Sequence, residues 1–199
     1  MDLGKLERFE MVKEKKEKLF IDLQNVYKEA DNALMQKFDR SLSFQDSMFD
    51  RWERAKRLGF SEGVSIYNSS LVYGNVKIDK KTWVGPYTIL DGSGGGITIG
   101  QYCSISAGVH IYTHDTVMWA LSGGYKKRKI APVIVGNNTY IGSKSIITLG
   151  VTLGSRCLVG AGSLVNKSFS DNTIILGTPA KKVGKVRVDK NDEIILEYD

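Results

Sequence analysis

The sequence predicts a mainly β protein whose body is a parallel solenoid, preceded by a helical segment and interrupted by one ejected loop. Three observations carry this. Glycine and β-branched residues dominate from residue 64 onward; aliphatic residues recur there at every sixth position; and the period fails over two stretches, DGSGGGIT at 91–98 and DTVMWALSGGYKKRKIAP at 115–132.

The aliphatic positions are Ile66, Val72, Ile78, Val84 and Leu90, then Ile99, Ile105 and Ile111, then Val135, Ile141, Ile147, Leu153, Val159 and Val165. Four residues after most of them stands something small or slim, such as Ser70, Thr82, Thr88, Cys103, Val109, Thr139, Ser145, Cys157 or Ser163. Glycine often follows the aliphatic residue directly, as at Gly85, Gly100, Gly136, Gly142, Gly154 and Gly160. A period of six matches neither the helical nor the strand repeat. It fits flat faces of six residues each, with an aliphatic side chain inward, a turn former at the corner and a small inward residue where the walls converge. Three hexads close one triangular coil, and at ~4.8 Å per strand about five coils stack to roughly 25 Å. Both cysteines, Cys103 and Cys157, fall on the small inward position and read as core filler; with no CxxC spacing, neither a disulfide framework nor a zinc site is expected.

Residues 1–60 form the helical segment, 61–182 the solenoid and 183–199 a tail. In the first, apolar residues fall at helical spacing (Phe9, Val12, Leu19, Leu23, Val26 and onward to Phe38, then Phe44 to Leu58), which predicts helices over about 5–38 and 44–58. Ser43 with Asp46 marks a helix start and Gly59 a stop. The Phe/Trp stripe is expected to pack on the rest of the protein, the other reading being a partner surface. The tail, VRVDKNDEIILEYD, reads as two short strands around an Asp/Asn turn.

Charge and hydropathy exclude several classes. No apolar stretch approaches a membrane span and the charged start lacks a signal peptide's apolar segment, so a soluble cytoplasmic protein is expected. The net charge of +6 lies almost wholly beyond residue 60. It follows no helical stripe, which argues against nucleic acid.

Both histidines of the chain, His110 and His114, lie in GVHIYTHDTVMW, where the hexads give way to the loop. A long loop thrown from a repeat scaffold is where function concentrates, since the coils already supply stability. A histidine at its mouth suits a general base, because an unperturbed imidazole, with a pKa of about 6.5, is mostly neutral at working pH. His110 should point outward, either at an interface or with no role.

The hexads, THD before the loop, PVIVGNNTYIGSKSII after it, VGAGSLVNK and the closing LGTPAKKV together resemble the hexapeptide-repeat acyltransferases over residues 64–182, and most closely those acting on nucleotide-linked amino sugars. The resemblance implies a left-handed parallel β-helix and a homotrimer with acyl-CoA (acetyl-CoA or longer) in the groove between two subunits, and no metal. It implies His114 as the base that deprotonates an amine or hydroxyl, Asp115 as the group that biases the imidazole or holds the acceptor, and Ser143 as a donor to the oxyanion beside the thioester. Asp91 matches an acceptor-binding aspartate, although the insertion after it is longer than the family's; it is otherwise an Asp-Gly turn. Gly142, Gly160, Ala161 and Gly162 would face the pantetheine arm; Lys167, and Pro179 and Ala180 with Lys181 and Lys182, would face the phosphates and adenine. Tyr140 and Asn166 stand where the family usually has tryptophan and threonine.

Two readings of the loop's basic run stand: solvated surface, or a grip in which Lys126 and Arg128, with Trp119 and Tyr125, hold the diphosphate and ring of a nucleotide sugar. O-acetylation of a sugar or serine would use the same base and co-substrate, and a non-catalytic trimeric solenoid would leave His114 and the loop without purpose. The solenoid is shared with zinc-dependent carbonic anhydrases, which need three histidines where this chain has two.

Overall fold

The computed structural model describes residues 14–199. The expected helical residues 5–13, with Phe9 and Val12, lie outside the described residues. The described residues fall into two compact units, one ending at Asp50 and one spanning Arg51–Asp199.

In the first unit a 25-residue helix, Glu14–Phe38, is followed by a short one, Phe44–Met48. The Tyr27 hydroxyl donates to the Leu42 carbonyl at 2.8 Å, and its ring lies 5.7 Å from Phe44, which ties the two together. Ser43 begins the second helix as expected, its hydroxyl donating to Asp46 at 3.0 Å. The continuous helix expected over 44–58 is instead two pieces, because Phe49 is extended (φ −125°, ψ 130°) and ends the first at Met48. Within this unit Leu19, Val26, Phe38, Phe44 and Phe49 are exposed; of the stripe's residues in the second unit Trp52 and Leu58 are exposed and Ala55 is buried.

Ala55 belongs to the second unit, on the helix Arg51–Arg57, and joins the interior of the first coil beside Val64 and Ile66. Arg54 donates to the carbonyls of Tyr67 and Ser70, so this helix closes the first coil's open end. Gly59, at φ +76°, ends it.

The solenoid then runs as read. In the uninterrupted coils parallel pairing links a residue to one eighteen places on, as in Ser65↔Trp83 and Tyr140↔Leu158, which is three hexads per coil. The first wall carries, in order, the strands at Ser65, Trp83, Ser104, Tyr140, Leu158 and Thr173; the second those at Leu71, Ile89, His110, Ile146 and Leu164; the third Ile78, Ile99, Val135 and Leu153. Every hexad aliphatic is buried except Val72, which is half-buried. Fully burying one such side chain contributes roughly 1.5–3 kcal/mol. The interior column therefore holds the coils together without help from the loop. Small inward residues satisfy themselves across the corners: Ser70, Ser145 and Thr139 donate to the carbonyls of Gly85, Gly160 and Gly154. Cys103 and Cys157 are buried and free, and burial raises the pKa of both thiols, which keeps them protonated.

The step from Trp83 to Ser104 is three residues longer than that from Ser65 to Trp83, the signature of the insertion. The inserted residues do not leave the coil. One strand, Ile89–Ile99, continues round the corner between the second and third walls, paired with Leu71–Ile78 and irregular between Gly74 and Val76. The tail is an antiparallel hairpin, Ala180–Val188 with Ile194–Tyr198, so its first strand begins earlier than residue 183. Its turn is closed by Asp189, whose carboxylate accepts from the amides of Asn191 and Glu193.

Candidate active site

The ejected segment leaves and returns as a short antiparallel ladder, with His114 opposite Ile130 and Asp115 opposite Lys129. One helical turn, Val117–Leu121, lies at its far end. Thr113, fully buried, is the hinge: its hydroxyl donates to the Asp91 carbonyl at 2.7 Å, accepts from the Gly94 amide at 2.9 Å, and its carbonyl accepts from the Ala131 amide. The two breaks in the hexad period therefore meet at one place, the corner between the second and third walls.

Glycine is required at that meeting. A Cβ on Gly94 would lie 2.8 Å from the Cβ of His114, and one on Gly95 would lie 2.5 Å from the Pro132 nitrogen. The insertion thus packs backbone to backbone against both ends of the loop. His114 and Asp91 are brought together by it. The Asp91 Oδ2 stands 3.7 Å from His114 Nδ1, with the two side chains 15% and 22% exposed respectively. Ser93 lies between them, its Oγ 2.6 Å from Asp91 Oδ1 and 3.5 Å from His114 Nδ1.

The carboxylate beside the imidazole is therefore Asp91. Asp115, expected to bias the ring or to hold the acceptor, has its Oδ1 accepting from the Val117 amide at 3.1 Å, which closes the turn into the loop helix. His110 faces outward on the second wall, and its Nδ1 lies 3.2 Å from the Tyr112 hydroxyl. Burial, and then the charge of Asp91, push up the Tyr112 pKa, so that hydroxyl stays protonated.

Residues expected at the acyl donor fall on a different line, the corner between the first and second walls. There Gly108 donates to the Pro86 carbonyl, Lys144 to that of Ala107, and Gly162 to that of Ser143. The Thr178 hydroxyl donates to the Gly162 carbonyl at 3.1 Å. Gly142, Ser143, Gly160, Ala161, Gly162 and Pro179 are thus stacked along one edge. A Cβ on Gly142 would come 2.5 Å from the Ala161 amide nitrogen, so the edge stays thin where the coils touch. Ala161 and Gly162 are exposed, Ala180 is buried, and Lys181 and Lys182 follow on the outgoing strand opposite Leu176 and Ile175. Lys167 stands apart from them, past Val165 at the histidine corner, with its Nζ 5.6 Å above the Phe169 ring. Within one chain the second wall separates the glycine edge from the histidine corner.

Of the loop residues singled out, Trp119 is half-exposed and Tyr125 is 90% exposed. Lys126, Lys127 and Lys129 are exposed, while the Arg128 guanidinium donates to the Ser93 carbonyl at 3.4 Å. Ser93 and Thr113 were not singled out by sequence, although the run DGSGGG was. Among the described residues, no three His, Cys, Asp or Glu side chains group closely enough to hold a metal, and no helix is long and apolar enough to cross a membrane.

Residues 132–167 match the family described as the hexapeptide repeat of succinyl-transferase. The solved structure of AntD, an N-acyltransferase from Bacillus cereus in complex with dTDP and 3-hydroxybutyryl-CoA, superimposes with a TM-score of 0.56 at 26% identity, covering 69% of this chain and 90% of that one. The chain shares the hexapeptide repeat and the fold of these acyltransferases. Its fold is accordingly the left-handed parallel β-helix. Protein CapG of Staphylococcus aureus is 43% identical over 91 residues, 45% of this chain and 53% of that protein. Galactoside O-acetyltransferase of Escherichia coli is 28% identical over 127 residues, 64% of this chain and 57% of the enzyme. The chain spans little more than half the length of these two curated relatives. AntD has also been solved, as a point mutant, with dTDP-4-amino-4,6-dideoxyglucose and coenzyme A, at a TM-score of 0.59 and 26% identity over 70% of this chain and 90% of that one.

Proposed function

We propose that this protein transfers an acyl group from acyl-CoA to the amine of a nucleotide-linked deoxyamino sugar, in the cytoplasm, with His114 as general base. The observation that carries the reading is the His114–Asp91 pair at the corner where the coil opens into the loop. The acceptor nitrogen attacks the thioester carbonyl and His114 takes the proton it sheds. Ser143 donates to the oxygen that gains charge, and the CoA thiolate leaves. Neither cysteine takes part as a nucleophile, since both thiols are buried inside the coils.

Assembly supplies the other half of the site. The outward residues of the second wall are Leu71, Ile89, His110, Ile146 and Leu164, an almost wholly apolar row, whereas those of the third wall are Lys77, Thr98, Ile134 and Thr152. Turning the apolar wall toward a three-fold axis buries it. The same rotation sets the histidine corner of one copy against the glycine edge of the next. It also places Lys167, which lies on the histidine corner, beside the neighbouring copy's Thr178–Lys182 turn, and reunites the residues separated within one chain.

The acceptor's class is argued from the loop, where Trp119 and Tyr125 offer rings to a base or sugar and Lys126, Lys127 and Lys129 offer cations to a diphosphate. AntD, solved with a dTDP-linked amino sugar, supports the same choice. Thiol release from acetyl-CoA and longer acyl-CoAs, measured against nucleotide-linked amino sugars, free sugars and serine, tests the reading. Replacing Lys126, Lys127 and Lys129 together by Ala is expected to raise the KM for the nucleotide-linked sugar by about tenfold, about 1.4 kcal/mol of lost binding, and to leave the KM for acyl-CoA unchanged. Equal turnover of free sugars, indifferent to the three lysines, would instead favour an O-acetyltransferase.

A further inference from the structure

Ser93 sits in the inserted run DGSGGG, and its hydroxyl has one proton to give. The Asp91 carboxylate is acceptor-only when ionised, and it lies 2.6 Å from Ser93 Oγ, a short charge-assisted distance. Asp91 Oδ1 also accepts from the Ser93 amide at 3.1 Å, which fixes the serine's orientation. With its proton committed there, Ser93 Oγ can only accept at its other neighbour, His114 Nδ1, 3.5 Å away. The second group facing Nδ1 is Asp91 Oδ2 at 3.7 Å, again an acceptor. Both separations exceed a formed hydrogen bond, and reactive-site contacts commonly tighten when substrate binds. Two acceptors and no donor face Nδ1, so the proton of a neutral ring belongs on that nitrogen and the lone pair on Nε2.

We propose that Ser93 is a positioning residue that selects the Nδ1–H tautomer of His114. It acts through the ring and touches neither substrate. This inference rests on the proposed role of His114. Three features hold Ser93 in place: the Arg128 guanidinium on its carbonyl at 3.4 Å, the Gly94 amide on the Thr113 hydroxyl at 2.9 Å, and the absent side chains of Gly94 and Gly95. The three-residue insertion is therefore the part that orients the base. Arg128, expected to touch the nucleotide sugar, also ties the loop to that part, so loop position and ring orientation are linked. The other charged groups at the ladder, Asp115 and Lys129, lie opposite one another across it, and Asp115 is engaged with the Val117 amide.

The test reads the ring directly. With ¹⁵N-labelled histidine in the full chain, and His110→Gln to leave a single signal, the two ring nitrogens report the tautomer of neutral His114. The parent protein is expected to show Nδ1–H predominantly, Ser93→Ala a mixture, and Ser93→Thr, which keeps the hydroxyl, the parent pattern. In turnover, Ser93→Ala should lower kcat on the order of tenfold with the KM for acyl-CoA unchanged, the scale on which partners that orient a reactive histidine act. An unaltered tautomer in Ser93→Ala, or Nε2–H in the parent, would overturn the proposal. The spectrum needs no substrate, so it decides the matter even if no acceptor is turned over; a correct spectrum with turnover that survives His114→Ala would instead sink the assignment of the base.

Discussion

His114→Ala is expected to lower kcat by about 10³-fold, within the range that a positioned general base contributes. The ring stands where the two breaks in the coil meet, with acceptors behind Nδ1 and the loop mouth in front. The variant should fold normally, because the side chain is outside the interior column and its truncation leaves no cavity there. The thermal midpoint should therefore stay within about the shift that 0.5 kcal/mol produces, as for substitutions away from core features. Activity that survives the substitution would move the proton to another acceptor, with Asp115 or the departing thiolate as the alternatives.

Ala161→Trp is expected to raise the KM for acyl-CoA on the order of 100-fold, a loss of about 2.7 kcal/mol of binding. Ala161 is exposed at the glycine edge, between Gly160 and Gly162, so the added ring points away from the interior column and the coils remain intact. The ring would cover the edge of stacked small residues proposed to face acyl-CoA. Binding of acetyl-CoA by calorimetry separates this from loss of chemistry. Ala161→Trp should lose the binding isotherm, and His114→Ala should keep it. An Ala161→Trp protein that binds acetyl-CoA as tightly as the parent would remove the glycine edge from the account.

Much of this was legible in the sequence, and the reason is the regularity of the fold. A repeat that buries one aliphatic side chain per face writes its own period, so Ile66 through Val165 could be placed from the sequence alone. Breaks in such a period are as readable as the period, which is why DGSGGGIT and the 115–132 loop stood out. What did not follow was how the breaks meet. Asp91 and His114 are separated by a full coil, the insertion and two further residues, and only the register Asp91↔Tyr112 brings them to one corner. The helical segment was the least legible part. An apolar stripe at helical spacing tells which face is apolar but not what covers it, and Leu19, Val26 and Phe38 are exposed.

The most direct measurement is subunit complementation. Each proposed site takes its histidine corner from one copy and its glycine edge from the next. His114→Ala and Ala161→Trp chains, to be co-expressed and assembled at random into trimers, would each be nearly silent alone when assayed at acyl-CoA well below the raised KM. In any trimer holding both, one of three junctions joins an intact His114 to an intact glycine edge. About a quarter of parental activity should then return, since about three quarters of random trimers are mixed. Mixed trimers, verified by mass, that stay as inactive as their parents would contradict the shared site and return the chemistry to a single chain.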